Sequence, residues 1–205
     1  MQIEEVNNNT QKAYTYRQQM GRYKKALANG FYFEALMIVY SVMEDRLRSF
    51  LYYIGAVRRP DDLKLNVEKT KSVLRAIYFG SESDAAGRRI NIRNISVKRD
   101  LIKNTILWSD SFEGTPDNRY LASLKKEYEG CLDMGGMLQV LDEMDDWCKY
   151  RNELIHGLLN KNPESIDACI LNKIEDGMEY ARFVDSQVKA LKKYDRIRKD
   201  NQIKR

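Results

Sequence analysis

Residues 31–54 read FYFEALMIVYSVMEDRLRSFLYYI, and this stretch decides the fold. Its main apolar stripe repeats at the three- and four-residue spacing of an α-helix and consists of Leu36, Tyr40, Met43, Leu47, Phe50, Leu51 and Ile54. Ile38, Val39 and Val42 make the middle of the segment apolar all round. Because a helix with no polar face needs neighbours on every side, we predict that residues 31–54 form the central helix of a bundle.

The remainder of the chain favours the same fold class. Only three prolines occur in 205 residues, and good helix formers are abundant. We predict further helices over about 9–28, 67–79, 119–134, 137–159 and 163–193, with a break at Gly135-Gly136. The sequence therefore predicts an all-α protein, a helical bundle of four to five main helices in a single domain spanning 1–205.

Two segments depart from this pattern. Residues 80–118 lose the helical period, and we interpret them as an irregular insertion between bundle helices. A short helix near Lys98–Trp108 is expected inside the insertion, and a short strand at Ile90 and Ile92 is the alternative. Residues 194–205 form a basic C-terminal tail, which we expect to fray.

Composition excludes several classes of site. The three cysteines are widely spaced and contain no C-x-x-C, which excludes a disulfide framework and a zinc knuckle built on cysteine pairs. The chain has one histidine, His156, so one protomer cannot build a histidine-rich metal site. No glycine-rich phosphate-binding motif occurs. We expect no metal and no cofactor.

Charge and hydropathy indicate the compartment and partners only broadly. The net charge of +5 indicates a weak affinity for polyanions. The longest apolar stretch, Ala35–Tyr40, is far shorter than a membrane-spanning helix requires. The N-terminal residues MQIEEVNNNTQ carry acid where a secretory signal carries base. We expect a cytoplasmic protein with no membrane contact.

The most informative string for function is WCKYRNELIHGLLN, residues 147–160. In helical geometry Arg151 falls within a predicted apolar stripe made of Met137, Leu141, Met144, Cys148, Ile155 and Leu159. Asn152 lies at the edge of that stripe, and His156 lies one turn further on the same face. An arginine in such a position must meet an acid, a subunit interface or an anionic ligand. A purely structural alternative is that Arg151 pairs with Glu44 or Asp45 while His156 only packs.

The run Arg151-Asn152-Glu153-Leu154-Ile155-His156 resembles the hallmark of the HEPN superfamily. That hallmark is an arginine, a following polar residue that is often asparagine, and a histidine after four to six intervening residues. Residues 32–51 are similar to the central helix of such domains. The resemblance implies metal-independent endoribonuclease activity on single-stranded RNA, in which the ribose 2′-oxygen attacks the adjacent phosphate and leaves a 2′,3′-cyclic phosphate. It also implies a toxin–antitoxin, phage-defence or CRISPR-linked role, with an antitoxin or other regulatory protein as a partner.

The resemblance assigns a catalytic role to each motif residue. His156 transfers protons near neutral pH, and the permanently charged Arg151 stabilises the charge that gathers on phosphorus. Asn152 hydrogen-bonds the phosphate or orients the imidazole. In-line attack benefits from both a base and an acid, yet each chain holds one histidine. We therefore expect a two-fold homodimer that joins two motif helices in one composite active site, as HEPN ribonucleases do.

Two other interpretations stay open. The first is a HEPN-like module that binds RNA or a nucleotide, or a protein, without catalysis. The second is an all-α adaptor that assembles only with proteins, which follows if Arg151 is buried against Glu44 or Asp45.

Two charged clusters need separate interpretation. Arg88, Arg89, Arg93, Lys98 and Arg99 fall within twelve residues that contain no acid, and the isoleucines between them offer anchoring. We predict that these five side chains contact an RNA backbone, the alternative being a solvated loop. Four acids precede the motif: Asp142, Glu143, Asp145 and Asp146. Such a cluster can hold Mg²⁺, but consecutive helical positions point in different directions, so an exposed helical face is expected there.

Overall fold

The computed structural model describes residues 9–157, 160 and 162–203. Its helices, in chain order, are α1 Asn9–Ala28, α2 Tyr32–Tyr53, α3 Glu68–Phe79, α4 Glu82–Ala85, α5 Ile95–Ser111, α6 Arg119–Cys131, α7 Met134–Gly157, α8 Pro163–Tyr194 and α9 Arg196–Asp200. Within these ranges the chain contains no β-strand, only an isolated bridge between Lys64 and Asn91. The prediction of an all-α bundle is confirmed.

Helix α2 lies at the centre of the core, as its sequence predicts. Its fully buried apolar side chains are Ala35, Leu36, Val39, Met43, Leu47, Phe50 and Leu51. It packs along α8 and also contacts α1 and α5. Because each buried side chain of this size stabilises the fold by about 1.5–3 kcal/mol, α2 supplies a large share of the hydrophobic driving force.

Helices α2, α7 and α8 meet closely at Gly177. A Cβ atom there would lie 2.7 Å from Cγ1 of Val39 and 2.8 Å from Nε1 of Trp147, so only glycine fits. Trp147 is buried, and its indole N–H donates to the carbonyl of Lys173, 2.5 Å away. Its ring stacks with Tyr40 at a centroid distance of 6.5 Å. This packing holds the second half of α7 against α2.

The predicted insertion contains more regular structure than expected. Instead of a short helix, α5 runs for 17 residues, and its Leu101, Ile102 and Ile106 are fully buried. The helical period is obscured because polar Lys98 and Thr105 also lie on the buried face. The Thr105 hydroxyl bonds the Ile102 carbonyl (2.7 Å) and the Tyr128 hydroxyl (2.9 Å), which makes its burial tolerable. Residues 86–94 and 112–118 are the irregular parts.

The α6–α7 boundary also differs from the prediction. The break falls at Leu132-Asp133, and Gly135 and Gly136 lie inside the first turn of α7. The Asp133 carboxylate accepts a hydrogen bond from the Gly136 amide (2.9 Å). A Cβ at Gly136 would lie 2.7 Å from the Phe183 ring, so glycine is needed there for close packing against α8 and not for a break.

The prediction that the C-terminal tail frays is wrong for residues 195–203, whereas residues 204–205 lie outside the described part. Helix α9 is docked, with Ile197 and Arg198 buried. The Arg198 guanidinium donates to the carbonyls of Tyr52 and Val57, both at 2.9 Å, and lies 3.9 Å above the Tyr52 ring. The basic composition of the tail concealed an arginine whose partners are backbone carbonyls far away in sequence.

No helix in the described ranges combines the length and apolarity needed to cross a bilayer.

Candidate functional site

The last two turns of α7 bring Arg151, Asn152 and His156 together. Arg151 is half-buried, whereas Asn152 and His156 are exposed. The Arg151 guanidinium donates from Nη1 to the side-chain carbonyl of Asn152, 2.8 Å away. Arg151 and Asn152 are therefore in contact at the C-terminal end of α7, and His156 lies one helical turn beyond Asn152.

An aromatic ring, and not an acid, supports Arg151. Its guanidinium carbon lies 3.9 Å from the centroid of the Tyr40 ring, and Tyr40 in turn stacks on Trp147. The Nε atom of Arg151 is buried and bonds no described residue. In the part of the chain that the structure describes, no carboxylate forms an ion pair with Arg151. The guanidinium is thus held against an aromatic face, and no carboxylate of the described residues neutralises its charge.

The structural alternative for Arg151 is contradicted, because its expected partners are occupied. Glu44 accepts from Arg48 and from Lys98, both at 2.8 Å. Asp45 pairs with Lys12 at 2.6 Å and with Arg46 at 3.7 Å. Burial alone would raise the pKa of the Glu44 carboxyl, but the hydrogen bonds from Lys98 and Arg48 outweigh it and hold that pKa below its usual value. Arg151 is therefore not paired with Glu44 or Asp45, which is the contact that would have favoured an adaptor that assembles only with proteins.

Three other arginines in the same bundle pair with carboxylates, unlike Arg151. Arg46 bonds Asp185 at 2.8 Å, and Arg48 bonds Glu44. Arg99 bonds Asp100 at 2.8 Å and also bonds Asp145. These three arginines each have a carboxylate partner, whereas Arg75 and Arg198 bond backbone carbonyls and Arg151 lies against the Tyr40 ring.

Two titratable side chains beside Arg151 stay neutral near pH 7. Burial raises the pKa of the Tyr40 hydroxyl, the Glu44 carboxylate raises it further, and Arg151 opposes both. Burial also raises the pKa of the Cys148 thiol, against the influence of Arg99 and Arg151. Neither group is a nucleophile or base in that state. His156, the single histidine of the chain, is the motif residue suited to proton transfer.

The apolar stripe of α7 is only partly as predicted. Met137, Leu141 and Met144 are buried, whereas Cys148 and Ile155 are half-buried and Leu159 lies outside the described residues. Trp147 and Leu154, which do not belong to the predicted stripe, are buried. Trp147 and Leu154 lie seven positions apart, which is about two helical turns, so their spacing indicates that both share the buried face. The buried face therefore passes beside Arg151 and leaves it at the rim.

The predicted RNA-contact residues divide into two groups. Arg88, Arg89 and Arg93 are exposed on the loop before α5. Lys98 is completely buried, and its ammonium group donates to Glu44 (2.8 Å) and to the Arg93 carbonyl (2.7 Å). The Arg99 side chain is 11% exposed and pairs with acids. As a correction, Lys98 and Arg99 hold α5 against α2 and α7 and are not displayed to a ligand.

The acidic cluster before the motif pairs with cations. Asp142 bonds Lys103, Asp145 bonds Arg99 and Lys149, and Asp146 bonds Lys149. Glu143 accepts from Gln139 at 2.8 Å. Among the described residues, no three histidine, cysteine or acidic side chains converge in a way that could hold a metal ion.

No protein-family model, no curated protein and no solved structure matches this chain.

Proposed function

We propose that this chain is a HEPN-type, metal-independent endoribonuclease that cleaves single-stranded RNA in the cytoplasm at Arg151, Asn152 and His156. The observation that carries the proposal is the state of Arg151. An aromatic face fixes its guanidinium, and no described carboxylate neutralises it. Asn152 bonds Arg151 and, like His156, is exposed to solvent, so a phosphate bound at Arg151 would meet polar side chains that water and RNA can reach.

The proposed reaction is a transesterification followed by release. The 2′-oxygen forms a bond to the adjacent phosphorus, and the bond from phosphorus to the 5′-oxygen breaks. A base removes the 2′-hydroxyl proton and an acid protonates the departing 5′-oxygen, which are tasks for imidazole groups. Arg151 stabilises the extra negative charge on the phosphate oxygens. Because the Asn152 carbonyl accepts from Arg151, the amide nitrogen of Asn152 is the part left to donate to a phosphate oxygen.

The reaction predicts cleavage without a metal ion. Purified chain should degrade mixed-sequence single-stranded RNA in the presence of EDTA, because the groups assigned to the chemistry are arginine, asparagine and histidine side chains. His156→Ala protein prepared in the same way is the control for contaminating nucleases. Loss of cleavage on EDTA addition, with recovery on adding Mg²⁺, would contradict the mechanism.

A homodimer follows from the need for a base and an acid. Because His156 is the single histidine, a second imidazole must come from a second copy, placed by a two-fold axis near the C-terminal end of α7. We expect light scattering at micromolar concentration to give twice the chain mass of 24.1 kDa. A strictly monomeric and fully active protein would contradict the composite site.

An HEPN-like binding module without catalysis is the second candidate. It is favoured by one observation, namely that no described residue hydrogen-bonds His156 and orients its imidazole. Such a module would bind RNA without changing its length, and His156→Ala would leave binding intact. For either function we propose a toxin–antitoxin, phage-defence or CRISPR-linked role, in which an antitoxin or another regulatory protein controls access to Arg151.

A further inference from the structure

Two loops that are separate in sequence lie side by side on one part of the molecule. The Ile92 amide donates to the Leu63 carbonyl at 3.1 Å, and Lys64 and Asn91 form the isolated bridge. The loops span residues 57–67 and 86–94. Together they carry six exposed cationic side chains, Arg58, Arg59, Lys64, Arg88, Arg89 and Arg93, which we call the two-loop surface.

The backbone beneath the two-loop surface is anchored in the core. Its inward side chains are buried, namely Val57, Leu65, Val67, Ile90 and Ile92. In the first loop, the Asp62 carboxylate accepts from the amides of Arg58 and Arg59 at 2.9 and 2.8 Å. In the second, buried Ile90 and Ile92 alternate with exposed Arg89 and Arg93. The cations are therefore presented from an ordered scaffold, which lowers the entropy cost of binding.

Positive charge exceeds negative charge on this surface, since the two loops carry six cations against the two acids Asp61 and Asp62. None of its six cations forms an ion pair with a carboxylate of the described residues. The Arg88 guanidinium lies over the Phe79 ring at 3.9 Å instead. The neighbouring Lys98 and Arg99 show the opposite arrangement, since both are paired with acids. Several unpaired cations on adjoining loops are the electrostatic footprint of a partner with regularly spaced negative charge.

A buried contact connects this surface to the candidate site. The Lys98 ammonium group bonds both the Arg93 carbonyl and Glu44. Glu44 lies one helical turn along α2 from Tyr40, the residue that supports Arg151. Through Lys98, Glu44 and Tyr40, buried contacts connect the Arg93 backbone with Arg151, and the proposal requires that one extended polymer reach both places.

We propose that the two-loop surface binds the sugar–phosphate backbone of single-stranded RNA beside the nucleotides held at Arg151. The identity of the polymer rests on the proposed function, whereas the location rests on the six cations. Contacts outside the cleaved bond supply affinity, so their loss raises KM and leaves kcat nearly unchanged.

The test is a binding titration with the full chain carrying His156→Ala, which keeps the RNA intact. Fluorescence anisotropy follows a labelled single-stranded RNA of about 20 nucleotides over a series of salt concentrations. Arg88→Gln/Arg89→Gln/Arg93→Gln should weaken binding at low salt by about tenfold or more and reduce the slope of log K against log salt by about 2. The matched control is Lys24→Gln/Lys25→Gln/Lys192→Gln, which removes the same charge from exposed positions elsewhere and should change affinity by about twofold or less.

Four outcomes distinguish the alternatives. Equal losses in the two triple variants would overturn the proposal. The proposal would also be overturned if the protein did not bind RNA but bound phosphatidylserine vesicles through these arginines. Because binding is measured without cleavage, the proposed function fails separately: arginine-dependent RNA binding by a protein that never cleaves would remove the enzyme and keep the surface. Conversely, if the three arginine substitutions are made in the chain that retains His156, cleavage with an unchanged KM would remove the surface and keep the enzyme.

Discussion

His156→Ala should reduce the rate of RNA cleavage by about 10²- to 10⁴-fold, the usual cost of losing general acid–base help. No other histidine in the chain can replace it, and in a composite site the substitution removes both imidazoles at once. The fold should be unaffected, because His156 is exposed in the last turn of α7. Single-turnover kinetics with saturating protein measures the chemical step, and thermal unfolding followed by circular dichroism measures the fold.

Glu153→Ala is the matched control for this substitution. Glu153 is also exposed and lies three residues earlier on α7, but it is not assigned to the chemistry. Its cleavage rate should stay within about twofold of wild type, as expected for an exposed substitution away from the reacting groups. His156→Ala protein with the rate of the Glu153→Ala protein would contradict the assigned role.

Arg151→Ala should be almost as damaging, lowering cleavage by about 10²- to 10³-fold through lost stabilisation of the transition-state charge. Arg151→Lys should not restore activity. An ammonium group lacks the planar face that stacks on Tyr40 and cannot donate in the forked geometry that suits a phosphate. Stability should fall by only about 0.5–2 kcal/mol, the range for a cation above an aromatic ring.

Arg182→Ala provides the comparison for Arg151. It removes an exposed arginine from α8 and should leave cleavage unchanged. Kinetics at several RNA concentrations separates two causes of a lower rate. Weaker binding of RNA raises KM, whereas lost stabilisation of the transition-state charge lowers kcat. Full kcat in Arg151→Lys would show that a diffuse positive charge suffices and that the stacked geometry has no catalytic role.

The sequence predicts the elements of this fold well where burial follows a regular period. Helix α2 has a regular apolar stripe and an apolar middle, and its bounds, Tyr32–Tyr53, lie one residue inside the predicted 31–54 at each end. Helix α5 was underestimated because Lys98, a charged residue, occupies its buried face. The burial of Lys98 depends on Glu44, which is 54 positions away and on another helix. An ion pair between residues so far apart in sequence cannot be recognised from a local pattern.

In the candidate site, too, local spacing is predictable from the sequence, whereas contacts between distant residues are not. Asn152 and His156 are exposed one helical turn apart, as their spacing predicts, and Arg151 bonds Asn152. The partner of Arg151 could not be predicted, because Tyr40 belongs to the apolar stripe of α2 and carries no charge to signal the contact. Arg58 and Lys64 were missed for a similar reason: they join Arg93 only through contact between two loops.

The chemical ends left on the RNA test the central claim most directly. Products of a wild-type digest in EDTA should carry a 2′,3′-cyclic phosphate on one side of the cut and a 5′-hydroxyl on the other, as identified by mass spectrometry. An otherwise identical RNA with 2′-deoxyribose at the scissile nucleotide should resist cleavage there, because the nucleophile is absent. Products ending in a 3′-hydroxyl and a 5′-phosphate, or cleavage at the deoxy-substituted position, would contradict a site in which Arg151 and His156 promote attack by the 2′-oxygen.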